Sequence, residues 1–215
     1  MIKQVLPRRC RGVRRGERLT DRTGAHLREP RYDAFTLIEL IVVVGIIIVL
    51  AGLVLSTVGY ARKKGARARA ETEIAAISAA CENYKADNGV YPTSDITNNL
   101  DPRSNGDPTT TGYKFASFDL YTRLSGDSSG NRSPTGKSYM VFKPNMLFPS
   151  DQTQNVQYTQ DPSGNSYGYS TAQAANPGGI TGYNPTFDLW STAGLTTNPP
   201  GNPPDTITPQ WIRNW

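Results

Sequence analysis

An uncharged and almost wholly apolar segment constrains this chain more than any other feature. The sixteen residues from Leu40 to Leu55 include no polar side chain, and the 22 residues from Leu40 to Ala61 include no charged one. A helix needs roughly 20 apolar residues to cross the hydrocarbon core of a bilayer. The segment is rich in isoleucine and valine, as a buried strand would be, but strands rarely exceed about ten residues. The sequence therefore predicts one membrane-spanning helix.

The residues after this segment predict that the same helix continues beyond the membrane. An apolar stripe follows at spacings of three and four residues, which are those of one helix face. The stripe comprises Ile74, Ile77, Cys81 and Tyr84. The Asn-Gly pair at 88–89 is a suitable helix end, because glycine accepts the left-handed conformation that often follows the last turn. We expect one helix from about Phe35 to about Asp87, with Cys81 as a small packing residue on its buried face.

Positive charge is concentrated at the N-terminus, although the chain as a whole has a net charge of +5. Residues 1–34 carry 10 basic and 4 acidic side chains, whereas residues 35–215 carry 13 basic and 14 acidic ones. The basic excess therefore gives residues 35–215 no reason to bind nucleic acid. The single histidine also lies before residue 35. Its absence afterwards excludes a Ser-His-Asp or Cys-His catalytic unit there, and we predict no enzymatic activity.

The C-terminal part predicts a small, loop-rich α/β region. Residues 93–112 draw 17 of their 20 positions from Gly, Ser, Thr, Asn, Pro and Asp, which predicts a loop. Residues 113–126 predict a short helix or turn. Short aromatic and β-branched runs predict antiparallel strands, and these runs are 138–142, 155–159, 167–171 and 186–191. Trp211 and Trp215 are expected to dock on this region, because exposed tryptophans are uncommon.

The residues before the apolar segment resemble a known processing signal. The run Ala34-Phe35-Thr36-Leu37-Ile38-Glu39 is similar to the N-terminal signal of type IV pilins and type II secretion pseudopilins, with Ala34 where glycine is usual. The resemblance implies that a prepilin peptidase cleaves between Ala34 and Phe35 and N-methylates Phe35. It also implies that Thr36, Leu37, Ile38 and Glu39 take part in assembly of a filament.

Three further segments resemble the major, G-type pseudopilin of type II secretion. They are residues 82–93 at the helix end, 161–169, and 187–191. The resemblance implies an α+β, pilin-like fold in which a long N-terminal helix packs on a small antiparallel head. It implies four regions: a cytoplasmic leader that is removed (1–34), the transmembrane half of the helix (35–60), its amphipathic half (61–90), and a periplasmic or extracellular head (91–215).

The family resemblance also implies a function and a location. The chain is expected to be a structural subunit of a pseudopilus, anchored by one pass in the bacterial inner membrane with its head in the periplasm. Its implied partners are further copies of itself, minor pseudopilins, the prepilin peptidase and an inner-membrane assembly platform. The alternatives are a type IV pilin of a surface filament, used in adhesion, motility or DNA uptake, and, outside that class, a single-pass anchored binding domain.

Glu39 is the residue for which the resemblance implies the most specific role. A carboxylate beside a membrane segment is costly and usually has a partner. In the family that partner is the new amine of Phe35 on a neighbouring subunit, and the pair favours one axial register of the stacked subunits. The competing interpretation is a polar residue at the bilayer edge.

Two other patterns near the apolar segment each have two interpretations. Gly45, Gly52 and Gly59 recur at intervals of seven, which suits either close helix packing or the ordinary tolerance of membrane helices for glycine. Five basic residues occur in residues 62–69. They either flank the membrane segment and fix its topology, or pair with acidic groups on adjacent subunits, such as Glu71, Glu73 or those of the head.

A metal site is implied by the resemblance alone. G-type pseudopilins hold calcium in their C-terminal loop, and calcium takes six to eight oxygen ligands. Asp188 and Ser191 match the strand end of that loop, and Asp205 is a candidate to replace the central aspartate that this chain lacks. The competing interpretation is that Asp188 caps a turn and that no ion binds.

Overall fold

The computed structural model describes residues 35–104, 106–196 and 210–215, and the chain divides into two units between Ile48 and Val49. Within these ranges the fold is α+β, as predicted. The helices are α1 (Leu37–Asn88), α2 (Asp95–Asn98), α3 (Thr111–Ser125) and α4 (Ala172–Ala175), with a 3₁₀ turn at Pro144–Met146. The strands are β1 (Leu147–Phe148), β2 (Tyr158–Thr159), β3 (Gly168–Ser170), β4 (Asp188–Ser191) and β5 (Ile212–Arg213).

Helix α1 has a clear stop in the sequence. Its last residue is Asn88, and Gly89 follows with a φ of +78°, in the left-handed region that only glycine enters without strain. The Gly89 amide donates to the Lys85 carbonyl at 2.8 Å, which satisfies one of the last helical carbonyls. The predicted helix is confirmed, with each end within two residues of its expected position.

The predicted apolar stripe of α1 is buried. Ile77 and Cys81 are fully buried, Ile74 is nearly so, and Tyr84 is partly buried at the edge of the same core. Burying one isoleucine side chain contributes about 1.5–3 kcal/mol. Burial also raises the pKa of the Cys81 thiol, which keeps it neutral. Cys81 is therefore a packing residue, as its place in the stripe predicts.

The strands form two antiparallel sheets. One sheet pairs β1 with β2, placing Leu147 opposite Thr159. The other has the order β3-β4-β5, with Tyr169 opposite Leu189. A tight turn at 161–166 lies between β2 and β3, and the Asp161 amide donates to the Asn165 carbonyl across it at 2.7 Å. The antiparallel pairing is confirmed, and an isolated antiparallel bridge between Gln160 and Ser166 links the two sheets across this turn.

Two local predictions are wrong. Residues 138–142 are not a strand, because the amides of Tyr139 and Met140 both donate to the Leu124 carbonyl near the end of α3, at 2.7 and 3.0 Å. The predicted loop 93–112 includes the short helix α2. That helix begins with a capping box, in which Ser94 and Thr97 each accept a hydrogen bond from the other's backbone amide.

The C-terminal residues are docked, as predicted for the two tryptophans. Strand β5 pairs with β4, placing Arg213 opposite Trp190. The Trp211 ring stacks on the fully buried Trp190 ring, with centroids 6.0 Å apart and planes inclined by 13°. The Asn214 side chain accepts a hydrogen bond from the Leu189 amide at 2.9 Å. The final residues thus extend the larger sheet and cover its core.

Candidate functional site

The N-terminal end of α1 is organised around Thr36 and Glu39. Glu39 Oε2 accepts hydrogen bonds from the Thr36 amide at 2.9 Å and from the Thr36 hydroxyl at 2.7 Å. The Glu39 amide in turn donates to Thr36 Oγ1 at 3.3 Å. This reciprocal arrangement is a capping box, which satisfies backbone donors that have no helical partner. Within one subunit, Glu39 therefore has a partner in its own chain, and Phe35 beside it is 83% exposed.

The structure describes one of the two residues at the predicted cleavage bond. Ala34 lies outside the described residues, whereas Phe35 is described. Leu37 and Ile38, which were predicted to take part in assembly, are 75% and 70% exposed. Their roles, like those of Thr36 and Glu39, stay predictions.

The first part of α1 presents an apolar surface on every side. All sixteen residues from Leu40 to Leu55 are exposed. Among the described residues, α1 is the one helix long and apolar enough to cross a membrane, a statement of length and composition alone. So large an apolar surface is not stable in water and needs a cover of lipid or of other helices.

The three glycines of the apolar segment have open surroundings. A Cβ built on Gly45, Gly52 or Gly59 meets no atom within 4 Å, apart from the helix's own neighbouring backbone. No contact within the subunit therefore requires a glycine at these positions. A role in close packing would have to involve another chain, and both interpretations of the pattern stay open.

The five basic residues after the apolar segment divide into two groups. Arg67 and Arg69 pair with Glu71 and Glu73 one turn later, with nitrogen–oxygen distances of 3.2 and 2.7 Å. Arg67 also donates to the Gln210 carbonyl at 3.0 Å. The other three residues, which we call the basic ring, are all exposed and form no ion pair with the part of the chain that the structure describes. The basic ring comprises Arg62, Lys63 and Lys64.

The two described candidates for a calcium ligand engage different loops. The Asp188 carboxylate accepts hydrogen bonds from the Tyr183 and Asn184 amides at 2.9 and 2.8 Å. The Ser191 hydroxyl donates to Asp161 Oδ2. No group of three or more His, Cys, Asp or Glu side chains that could hold a metal occurs among the described residues. Asp205 lies outside them, and calcium binding by Asp188, Ser191 and Asp205 stays a prediction.

A hydrogen-bonded clamp, defined by Asp161 and Asn165, holds the start of the C-terminal loop. Asp161 is buried, and its Oδ1 accepts from the Ser163 and Asn165 amides, both at 2.9 Å. The Asn165 side chain donates to Thr192 Oγ1 at 2.8 Å and to the Leu195 carbonyl at 2.9 Å. The turn 161–166 is thus fastened to the residues that leave β4.

This clamp was not predicted, although the sequence contained a signal for it. Residues 161–169 were noted for their family resemblance, and an Asp followed by Gly and Asn is typical of a tight turn. Burial raises the pKa of Asp161, and hydrogen bonds from Ser191 and from backbone amides oppose that shift. Burial raises the pKa of Asp188 in the same way. Both carboxylates therefore act as acceptors that organise loops.

Comparison with known proteins supports the resemblance inferred from the sequence. The chain is 43% identical over 65 residues to the type II secretion system core protein G of Vibrio cholerae. It is 37% identical over 67 residues to the protein of that name from Dickeya chrysanthemi, and 37% identical over 65 residues to that from Klebsiella pneumoniae. No protein-family model and no solved structure matches the chain.

These matches cover part of each protein. They span 30% of this chain and 44% of the Vibrio cholerae protein, 31% and 44% for Dickeya chrysanthemi, and 30% and 46% for Klebsiella pneumoniae. The chain therefore spans less than half the length of these curated relatives. The long apolar N-terminal helix and the small antiparallel sheets agree with the pilin-like fold implied by these relatives. The chain is thus pilin-like in fold, and over about 65 residues it is similar to core protein G, the major pseudopilin of type II secretion.

Proposed function

We propose that this chain is a structural, non-enzymatic subunit of a pseudopilus in type II protein secretion. The observation that carries the proposal is the apolar, fully exposed first part of α1 in a chain similar to core protein G. A surface of this kind is stable in two settings, a bilayer before assembly and a bundle of identical helices afterwards. Contacts between unlike faces of identical subunits generate a helical filament when the rotation between successive subunits does not close into a ring.

The proposal includes processing at the N-terminus. A prepilin peptidase would cut between Ala34 and Phe35, remove residues 1–34, and methylate the new amine. The exposure of Phe35 and the helical start two residues later are compatible with access from outside the helix. Cleavage would leave a net charge of −1 on the mature chain, because the whole chain has a net charge of +5 and the leader alone has one of +6.

Glu39 would act in assembly by accepting a hydrogen bond from a neighbouring subunit, either in addition to those from Thr36 or in their place. Within the subunit its carboxylate accepts two hydrogen bonds from Thr36. A cationic amine from the Phe35 of a neighbour would add a charge-assisted hydrogen bond, which is stronger than a neutral one, and more so where water is excluded. The capping box holds the carboxylate at the helix start, ready for that neighbour.

The proposed topology places residues 1–34 in the cytoplasm and the head in the periplasm, with the apolar segment in the inner membrane. The leader has 10 basic residues and a net charge of +6, which exceeds the five basic residues after the segment, and the more positive flank favours the cytoplasmic side. The proposed partners are further copies of this chain, minor pseudopilins, the prepilin peptidase and the inner-membrane assembly platform.

We propose that calcium binds in the C-terminal loop with Asp205 as one of its ligands. Asp188 and Ser191 are committed to different loops. A site for this ion therefore depends on the Asp205 carboxylate, with backbone carbonyls supplying the remaining oxygens.

A surface type IV pilin is the second candidate. Many such pilins close a C-terminal loop with a cysteine pair, and residues 35–215 contain a single cysteine, Cys81, which is buried. This favours the pseudopilin. A single-pass anchored binding domain is the third candidate, and no described cluster of side chains favours it.

Deletion of the gene in the host, with complementation, tests the proposal and separates these candidates. A pseudopilin is required for export of folded proteins across the outer membrane, so the deletion should leave them in the periplasm while surface filaments persist. Loss of surface filaments with normal export would instead identify a surface pilin. Mass spectrometry of the membrane-extracted protein should find a mature N-terminus at N-methylated Phe35, and an intact leader would contradict the proposed processing.

A further inference from the structure

The basic ring, Arg62, Lys63 and Lys64, is a charged group that neither the fold nor the proposed assembly contacts account for. The next two basic residues, Arg67 and Arg69, are held by acidic partners within the chain. The ring residues are exposed and pair with no described acidic group. Burial by the head begins further along α1, where Ala70 is buried. Three cations are therefore available to something outside the subunit.

The arrangement of the ring around the helix indicates what that partner is. Successive residues of an α-helix are about 100° apart, so three in a row point to nearly all sides of the axis. A neighbouring subunit covers one face of a helix and can contact one or two of these side chains. A layer of lipid headgroups surrounds a helix and reaches all three.

The residues next to the ring agree with a position at a membrane surface. Ala61 is the last residue of the uncharged 22-residue segment, so the ring begins where that segment ends. Tyr60, two residues before the ring, is 72% exposed. Tyrosine is enriched at membrane–water interfaces, where its ring sits at the level of the headgroups, and Lys and Arg beside a span extend their charges to the same level.

The carboxylates nearest to the ring along α1 already have cationic partners within the chain. Glu71 and Glu73, the nearest carboxylates along α1, accept hydrogen bonds from Arg67 and Arg69. Glu73 also accepts one from Tyr167 at 2.7 Å. A neighbour that offered these carboxylates to the ring would first have to break its own ion pairs.

We infer that the basic ring binds the phosphate groups of anionic phospholipids and so fixes the depth at which α1 lies in the bilayer before the subunit joins a filament. The inference rests on the proposed membrane anchor and goes beyond the proposed function, because it assigns lipid selectivity to the unassembled subunit. Each Lys or Arg near an anionic surface strengthens association by about fivefold at low salt. Three such residues should give a clear preference for anionic over zwitterionic lipid.

The test uses the mature protein extracted from membranes, which lacks the ten basic residues of the leader. It is reconstituted in phosphatidylcholine vesicles that contain a trace of spin-labelled phosphatidylglycerol or spin-labelled phosphatidylcholine. Electron spin resonance measures the fraction of each probe that is immobilised at the protein. The parent should immobilise the anionic probe more than the zwitterionic one, and added salt should reduce the difference. The triple variant Arg62→Gln, Lys63→Gln, Lys64→Gln should lose most of it, whereas each single variant should lose part.

Lys143→Gln is the matched control, because Lys143 is an exposed lysine on the head and the substitution removes the same charge. It should leave the preference unchanged. An unchanged preference in the triple variant, or an equal loss in the control, overturns the inference. If the triple variant keeps its lipid preference but loses cross-linking between subunits, the ring belongs to a subunit interface and the inference is wrong. Flotation of the parent with vesicles tests the membrane anchor separately. A parent that does not float would contradict the proposed anchor, whereas a parent that floats without a lipid preference would contradict only the inference about the ring.

Discussion

The Tyr167 hydroxyl donates a buried 2.7 Å hydrogen bond to Glu73 Oε2, and this bond joins the start of the larger sheet to α1. Arg69 donates to the other carboxylate oxygen, Oε1, at 2.7 Å. Burial raises the pKa of Tyr167, and the adjacent Glu73 raises it further, so the phenol keeps its proton. One carboxylate therefore receives donors from both the helix and the head.

Tyr167→Phe should lower the free energy of unfolding of the head by about 1.5–3 kcal/mol, the range for a buried hydrogen bond to a charged group. The substitution keeps the ring and removes the donor. Chemical unfolding in detergent measures the change. Tyr91→Phe is the control, because its hydroxyl also donates to a carboxylate, Glu82, but at an exposed site. It should cost less than about 1 kcal/mol, and equal losses for the two variants would contradict the assigned role.

Glu39→Gln should separate the charge of this residue from its capping role. Glutamine can still accept at the helix start in a capping box, whereas it cannot pair ionically with the amine of a neighbour. The variant should therefore keep the start of α1 and lose most of the filament yield and secretion. Helicity reports the start of α1, electron microscopy reports the filament yield, and a secretion assay reports export. N-terminal mass spectrometry checks that the variant is still processed.

Thr36→Val is the reverse variant, since it removes the hydroxyl that bonds to Glu39 and leaves the charge. Loss of the cap should cost about 1 kcal/mol, with secretion reduced less than in Glu39→Gln. Normal secretion by Glu39→Gln, from a correctly processed protein, would remove the ionic pair from the assembly mechanism.

Asp161 should make the head less stable as the pH rises. Burial raises its pKa in the folded state above the unfolded value of about 3.9. The folded state therefore binds more protons between these two values, and stability falls as the pH rises through that window. Each unit of the shift corresponds to about 1.4 kcal/mol. Unfolding of the parent and of Asp161→Asn, measured from pH 3 to 7, should show a parent advantage that shrinks as the pH rises.

Asp127 should show the opposite dependence of stability on pH, because its pKa is lowered in the folded state. Burial alone would raise its pKa, but hydrogen bonds from Tyr121, Arg132 and Ser129 outweigh burial and lower it. Its contribution should be present above the unfolded pKa and lost as the pH falls through the folded value. The advantage of the parent over Asp127→Asn should thus grow as the pH rises. The same trend in both variants would rule out these assignments.

Calcium should raise the melting temperature of the full chain in detergent, and Asp205→Asn should abolish the increase. Binding at a concentration 100 times the dissociation constant stabilises a protein by about 2.7 kcal/mol, which is several degrees for a domain of this size. Asp188→Asn should destabilise the chain equally with and without calcium, because that carboxylate already accepts two backbone amides. An unchanged melting temperature on adding calcium or EGTA would end the proposal.

The long helix and its buried stripe could be predicted because their determinants are local. The 3.6-residue period of Ile74, Ile77 and Cys81 and the stop at Gly89 are both properties of neighbouring residues. The docking of Trp211 could be expected from the cost of exposing a large aromatic ring. These features depend on side-chain chemistry that a single segment contains.

Residues 138–142 were predicted wrongly because a distant segment decides their local structure. Residues 138–142 have the composition of a strand, yet Tyr139 and Met140 bond to Leu124, about fifteen residues earlier. The clamp of Asn165 on Leu195 joins residues thirty positions apart. Neither partner can be identified from composition or spacing, because the contact exists only after the helix and the turn have brought the two segments together.

The pairing of β5 with β4 also sets an order of events during synthesis. Strand β5 is formed by Ile212 and Arg213, more than a hundred residues after α1 ends at Asn88. Until the ribosome has released these residues, β4 has an open edge and Trp190 lacks the Trp211 ring that covers it. Open strand edges pair readily with other chains. A nascent head therefore lacks strand β5 until its last residues have been made, and during that interval the edge of β4 can pair with another chain.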